Sequence, residues 1–92
     1  MNAQEFEASL KAEHYDQILT ISKEVGYQMG DHTHPFDACA LVTAGQIDIA
    51  VGGVSRVYKT GDIFRVPAGT VHTEDARQQG VTYLAGRRTV KS

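Results

Sequence analysis

The sequence predicts an all-β barrel with a short N-terminal helix. Three observations carry this. Short β-branched or alternating runs recur at roughly ten-residue spacing. Turn signals separate them: Gly52-Gly53, Thr60-Gly61-Asp62 and Pro67-Ala68-Gly69. Helix signals are confined to residues 1–14.

The elements follow in order. Asn2 can cap a helix over residues 2–13, with Glu5 placed to close a capping box. Phe6 and Leu10 share one face of that helix and can dock on a core. Ile18-Leu19-Thr20-Ile21 is the first strand-like run. Ala40 to Thr43 is an apolar stretch that Ala44-Gly45 should end. Ile47, Ile49 and Val51 then alternate on one face of a strand. Gly52-Gly53 predicts a two-residue hairpin, with Val54 to Lys59 as the returning strand. Ile63 to Val66 is the next strand, Val71 to Glu74 continues extended, and Val81 to Ala85 is the last. The barrel is expected over residues 18–88 within a single domain, 1–92.

Composition narrows the function. A chain of 92 residues buries a small core. A net charge of −2, with the signs interspersed, argues against nucleic acid as a partner. Arg87-Arg88-Thr89-Val90-Lys91 is the one basic cluster and reads as a solvated tail. The single cysteine, Cys39, excludes an internal disulfide. No apolar run suits a membrane span, and no signal-peptide core precedes the helix. A cytoplasmic protein is expected.

Three of the four histidines fall in two short segments, His32-Thr33-His34 and Pro67-Ala68-Gly69-Thr70-Val71-His72. In an extended chain His32 and His34 share a face, and His72 could meet them from a distant strand. Neutral imidazole is a common ligand for transition metals, so the pattern points to a mononuclear divalent site. His14 stands apart and is expected to be exposed.

These segments resemble the two motifs of the cupin superfamily. Gly61, Pro67, Gly69 and His72 match the second motif in every gap. Gly26, His32, His34 and Gly45 match the first in its shorter spacing. The resemblance covers residues 26–76 and implies a jelly-roll barrel. It also implies a metal on His32, His34 and His72, with Zn, Ni, Fe, Mn or Cu all compatible with the donors. Small-molecule dioxygenases, isomerases, epimerases and decarboxylases occur in such a family. So do non-catalytic ligand-sensing modules, and a metal can also serve only to stabilise a small barrel. A homodimer is expected, because an open barrel this small leaves strand edges to cover.

The sequence departs from the motif at its glutamate. That position is Ala38, or Cys39 in the longer spacing. Asp37 is the nearest carboxylate and a candidate fourth ligand; strand parity sets it on the opposite face unless Pro35 or a bulge shifts the register by one and brings it inward. Otherwise it is a turn or surface carboxylate. Cys39 could bind a soft metal after the same shift, or fill space as a small hydrophobe. Glu74 shares a face with His72 and is a candidate ligand, tautomer-fixing partner or general base, against a plain solvated role. Ala76 replaces the second motif's closing asparagine and offers no ligand. Tyr27, Phe36, Phe64 and Tyr83 are assigned chiefly to core packing, with cavity lining as the alternative.

Overall fold

A computed structural model describes residues 1–89. One helix, α1 (Ala3–Ala12), precedes seven strands: β1 (Gln17–Lys23), β2 (Gln28–His32), β3 (Phe36–Val51), β4 (Val54–Lys59), β5 (Ile63–Val66), β6 (His72–Asp75) and β7 (Val81–Thr89). All strand pairings are antiparallel. No helix among the described residues is long and apolar enough to cross a membrane.

The long strand β3 organises the barrel. Its first half lies between β7 and β5, and β1 extends that layer beyond β7. Its second half lies between β4 and β6, and β2 extends the other layer beyond β6. The expected break at Ala44-Gly45 is therefore a bend inside one strand. The β3·β7 register shifts between Val42 and Ala44. Gly45 follows with φ 71°, and a Cβ there would collide with the carbonyl oxygen of Gly80. Only glycine adopts that backbone without strain and allows the approach. The bend lets apolar side chains of both halves, among them Val42 and Ile47, face one core.

The Gly52-Gly53 hairpin forms as the sequence indicates. Both glycines have positive φ and Val51 pairs with Val54. β2 is a strand that the side-chain pattern does not mark, because Gln28, Gly30 and Asp31 have little strand preference. β7 runs to Thr89, four residues beyond the expected Ala85, so Arg87, Arg88 and Thr89 are strand residues and not a solvated tail. Pairing with β3 as far as Phe36↔Thr89 holds them there. Val90 and Lys91 lie outside the described residues.

At α1 the Asn2 side chain accepts the Glu5 amide at 2.8 Å, and the Glu5 carboxylate accepts the Asn2 amide at 3.2 Å. At the other end the amides of His14 and Tyr15 donate to the carbonyls of Lys11 and Leu10. This is a Schellman ending, with His14 left-handed at φ 65° where glycine is usual. Phe6 and Leu10 pack with Tyr15 on Cys39 and Leu41, on the outer face of the β1-β7-β3-β5 layer. Burying each of those two helix side chains contributes about 1.5–3 kcal/mol. Gly86 lies beneath them, where a Cβ would come within 2.7 Å of Leu10.

Candidate metal centre

Strand pairing assembles the site. His32 and His72 are cross-strand partners in β2·β6, past an irregularity between Met29 and His32. Glu74 is two residues beyond His72 and shares its face. His34 follows the end of β2, and its carbonyl accepts the Gly69 amide at 3.0 Å. The turn that launches His72 is thereby tied to the loop that carries His34. His32, His34, His72 and Glu74 each offer a donor atom, all within 4.8 Å of one another. The ring centroids of His32 and His72 are 4.2 Å apart, and those of His34 and His72 are 4.9 Å apart.

Hydrogen bonding fixes where the protons are. Nδ1 of His32 lies 2.7 Å from the Gly30 carbonyl oxygen, and Nδ1 of His72 lies 2.9 Å from that of Thr70. A carbonyl only accepts, so both Nδ1 atoms carry hydrogen. In the neutral rings the Nε2 lone pairs are then free, and both point at Oε2 of Glu74 at 3.1 Å. Two lone pairs and a carboxylate oxygen face one another with no hydrogen of their own between them. Such a cluster needs a cation, either an added proton or a metal. His34 brings a third ring nitrogen within 4.8 Å of these donors, and its Nδ1 is buried with no hydrogen-bond partner among the described residues, a donor set that suits a metal. Burial, then the neighbouring His72 and His32, hold the His34 pKa below its ordinary value and keep it neutral. The backbone carbonyls behind His32 and His72 are the kind of outer partner that would orient these imidazoles toward a metal.

Asp37 is not part of this group, and the register shift that would carry it inward does not occur. β3 pairs regularly with β7 from Phe36 to Val42, which sets Asp37 opposite Arg88 on the outer face. Its carboxylate accepts the Ala68 amide at 2.9 Å and Arg88 Nη2 at 3.1 Å, and these partners hold its pKa below the ordinary value. It pins the turn leading to His72. Cys39 likewise faces outward beneath α1, among Tyr15 and Leu41, so it is no ligand. His14 is exposed and is not among the converging donors.

The donors form one wall of a cavity of about 290 Å³ that opens to solvent. Tyr27, Phe36, Phe64 and Tyr83 all line it, and Phe64 and Tyr83 also belong to the core. The His34 ring stacks on Phe36 with centroids 4.8 Å apart and planes 5° apart. The Tyr27 hydroxyl donates to Oε1 of Glu74 at 3.3 Å. Burial, then the charge of Glu74, raises the Tyr27 pKa, so that phenol stays protonated. Ala38, where the motif would place glutamate, also lines the cavity. Two cations complete the lining, Lys23 and Arg87. Arg87 is not legible as a lining residue in the sequence, where the apolar alternation of β7 stops at Ala85. Carried two residues further, Tyr83, Ala85 and Arg87 share the inward face.

Comparison with known proteins agrees with this architecture. A family profile described as Cupin domain matches residues 21–84. No curated protein matches the sequence. Among solved structures, the DMSP lyase DddQ from Ruegeria pomeroyi superposes with a TM-score of 0.69 at 21% identity, over 77% of this chain and 36% of that one. KdgF from Halomonas sp. gives 0.62 at 24% identity, over 77% of this chain and 67% of that one. A cupin-like protein from Thermotoga maritima gives 0.69 at 23% identity, over 86% and 61%. This chain thus spans little more than a third of the lyase. At these identities the likeness establishes the fold alone.

Proposed function

The chain belongs to the cupin domain family, and from that premise we propose that it holds a divalent metal and presents it to a small molecule entering the barrel. His32, His34, His72 and Glu74 would hold the ion. The observation that carries the reading is the convergence of two imidazole lone pairs and a carboxylate oxygen beside a third, unpartnered imidazole. When bound, the metal would supply Lewis acidity or a coordination site for a chelating ligand. The chain's own residues divide the remaining work. The carbonyls of Gly30 and Thr70 fix the His32 and His72 tautomers. Phe36 sets the plane of His34. The Tyr27 hydroxyl orients Glu74 and keeps a proton at the cavity wall. Apolar lining from Phe64, Val66 and Tyr83 limits the water around a bound molecule.

A metal-dependent enzyme of the dioxygenase or isomerase kind is one use of such a centre. A non-catalytic binding module is the other, and one observation favours it. Glu74, the carboxylate nearest the histidines, is committed to them, and the remaining proton carrier beside it, Tyr27, is held in its acid form. That leaves a hydrogen-bond donor and no free general base at this wall.

Elemental analysis of protein purified without a metal-affinity step tests the centre. About one divalent ion per chain is expected for the wild type. His34→Ala should lose most of it while keeping the β circular-dichroism spectrum, and Asp37→Ala should keep it. Absence of metal from the wild type, or equal content in wild type and His34→Ala, overturns the reading.

A further inference from the structure

Arg87 stands directly opposite Ala38 in the β3·β7 pairing. Ala38 occupies the place of the motif's missing glutamate, so the arginine has no acidic neighbour there. Its guanidinium lies over the Phe36 ring at 4.7 Å, inside the cavity lining. Among the described residues no carboxylate or carbonyl is hydrogen-bonded to it, whereas the adjacent Arg88 has two such partners. Lys23, on the far side of the same cavity, lies over the Tyr27 ring at 4.7 Å and has no ion pair among the described residues.

The cavity therefore carries two cations, Lys23 and Arg87, against one carboxylate, Glu74. A divalent metal would only increase that excess. A guanidinium that rests over an aromatic ring and has no hydrogen-bond acceptor beside it keeps N–H donors free, and its fork of donors matches the two oxygens of a carboxylate. Apart from these charged groups, the three histidines and the hydroxyls of Tyr27 and Tyr83, the lining is apolar, with Ile21, Phe64, Val66 and Ala85 among its residues.

We propose that the molecule received by this cavity is a small organic carboxylate, with Arg87 as the residue that recognises its carboxyl group and the apolar lining taking its body. This names the ligand class for the site described above and rests on that site being a ligand cavity. It does not require the metal.

The probe is benzoate, compared with its neutral isostere benzamide. Binding is followed by chemical-shift titration of the ¹⁵N-labelled 92-residue chain, both metal-free and zinc-loaded. Benzoate should shift the amides of Ala38, Ala85 and Arg87 and bind at least roughly tenfold tighter than benzamide in both forms. Arg87→Gln should lose that preference, Arg87→Lys should restore part of it, and both should keep wild-type zinc content and melting temperature. Equal binding of benzoate and benzamide, shifts confined to other surfaces, or an Arg87→Gln protein that still prefers benzoate would overturn the proposal. The two readings fail separately. A wild type without metal that still discriminates through Arg87 sinks only the metal, and a zinc-loaded protein without discrimination sinks only the carboxylate.

Discussion

Arg87 and Arg88 are neighbours in β7 and meet opposite surroundings. Arg88 faces outward. Its guanidinium donates to Asp37 at 3.1 and 3.3 Å and to the Glu13 carbonyl at 2.9 Å, and it lies over the Tyr15 ring at 4.6 Å. Arg87 faces inward, over Phe36, with no such partners among the described residues. One residue of strand parity separates a cation that closes structure from one left available to a ligand. The same division runs along the whole strand. Its outer face, Leu84, Gly86 and Arg88, is covered by α1 and its C-terminal turn. Its inner face, Tyr83, Ala85 and Arg87, lines the cavity.

If the outer face is structural, crowding it should damage stability and leave the cavity alone. Gly86→Ala is the strongest form of this test. The added methyl would meet both Leu10 methyl carbons, at 2.7 and 2.9 Å, and the Tyr15 ring at 3.1 Å. These are side-chain atoms that can move, so the expected cost is that of ordinary overpacking, about 1–3 kcal/mol in chemical denaturation. Zinc content and benzoate affinity should match the wild type. A stable variant with an altered cavity would mean that α1 and the site are coupled through β7, and the division would fall.

A smaller loss is expected from Arg88→Ala, several degrees in the melting midpoint near neutral pH, again with cavity binding unchanged. Its pH dependence identifies the partner. The Ala68 amide first, and then Arg88, hold the folded pKa of Asp37 below its reference of 3.8. A carboxylate with a depressed folded pKa contributes its stabilisation above the unfolded value and loses it as pH falls through the folded one. The midpoint gap between wild type and Arg88→Ala should therefore narrow below about pH 4. A constant gap from pH 7 to pH 3 would show that Asp37 is not what Arg88 stabilises.

The sequence made much of this legible for definite physical reasons. Capping chemistry is local, so Asn2 and Glu5 announced α1. The Gly-Gly hairpin is local too, and motif spacing identified His32, His34 and His72. Parity placed Glu74 with the histidines and spoke against Asp37, and the register shift that kept Asp37 a candidate ligand does not occur. The readings that failed depend on contacts made far away. Ala44-Gly45 reads as a terminus, because nothing nearby reveals that Gly80 lies against it and β3 continues through a bend. Arg87-Arg88-Thr89 reads as a tail, because its strand character comes from pairing with residues some fifty positions earlier. Arg87 was hidden by that error, since a residue assigned to a tail is assigned to no face.

The inner half of the comparison can be tested by giving Arg87 the partner it lacks. Ala38→Glu sets a carboxylate directly across from it, at the position where the cupin motif places one. In metal-free protein this cross-strand pair should contribute about 0.2–1 kcal/mol, offsetting part of the cost of placing a charge in a half-buried lining. Benzoate affinity should fall by roughly tenfold, because the guanidinium edge is now occupied and the new charge repels the probe. Repulsion alone could produce the second result, so the stability of the double variant decides. Combined with Arg87→Gln, the same glutamate has no cation opposite it and should destabilise the barrel more than it does in the wild-type background. The difference between the two backgrounds, read from a double-mutant cycle, is the pairing itself. A cycle that closes to zero would mean that the inner arginine does not reach across to position 38, and its availability to a carboxylate in the cavity would lose its structural basis.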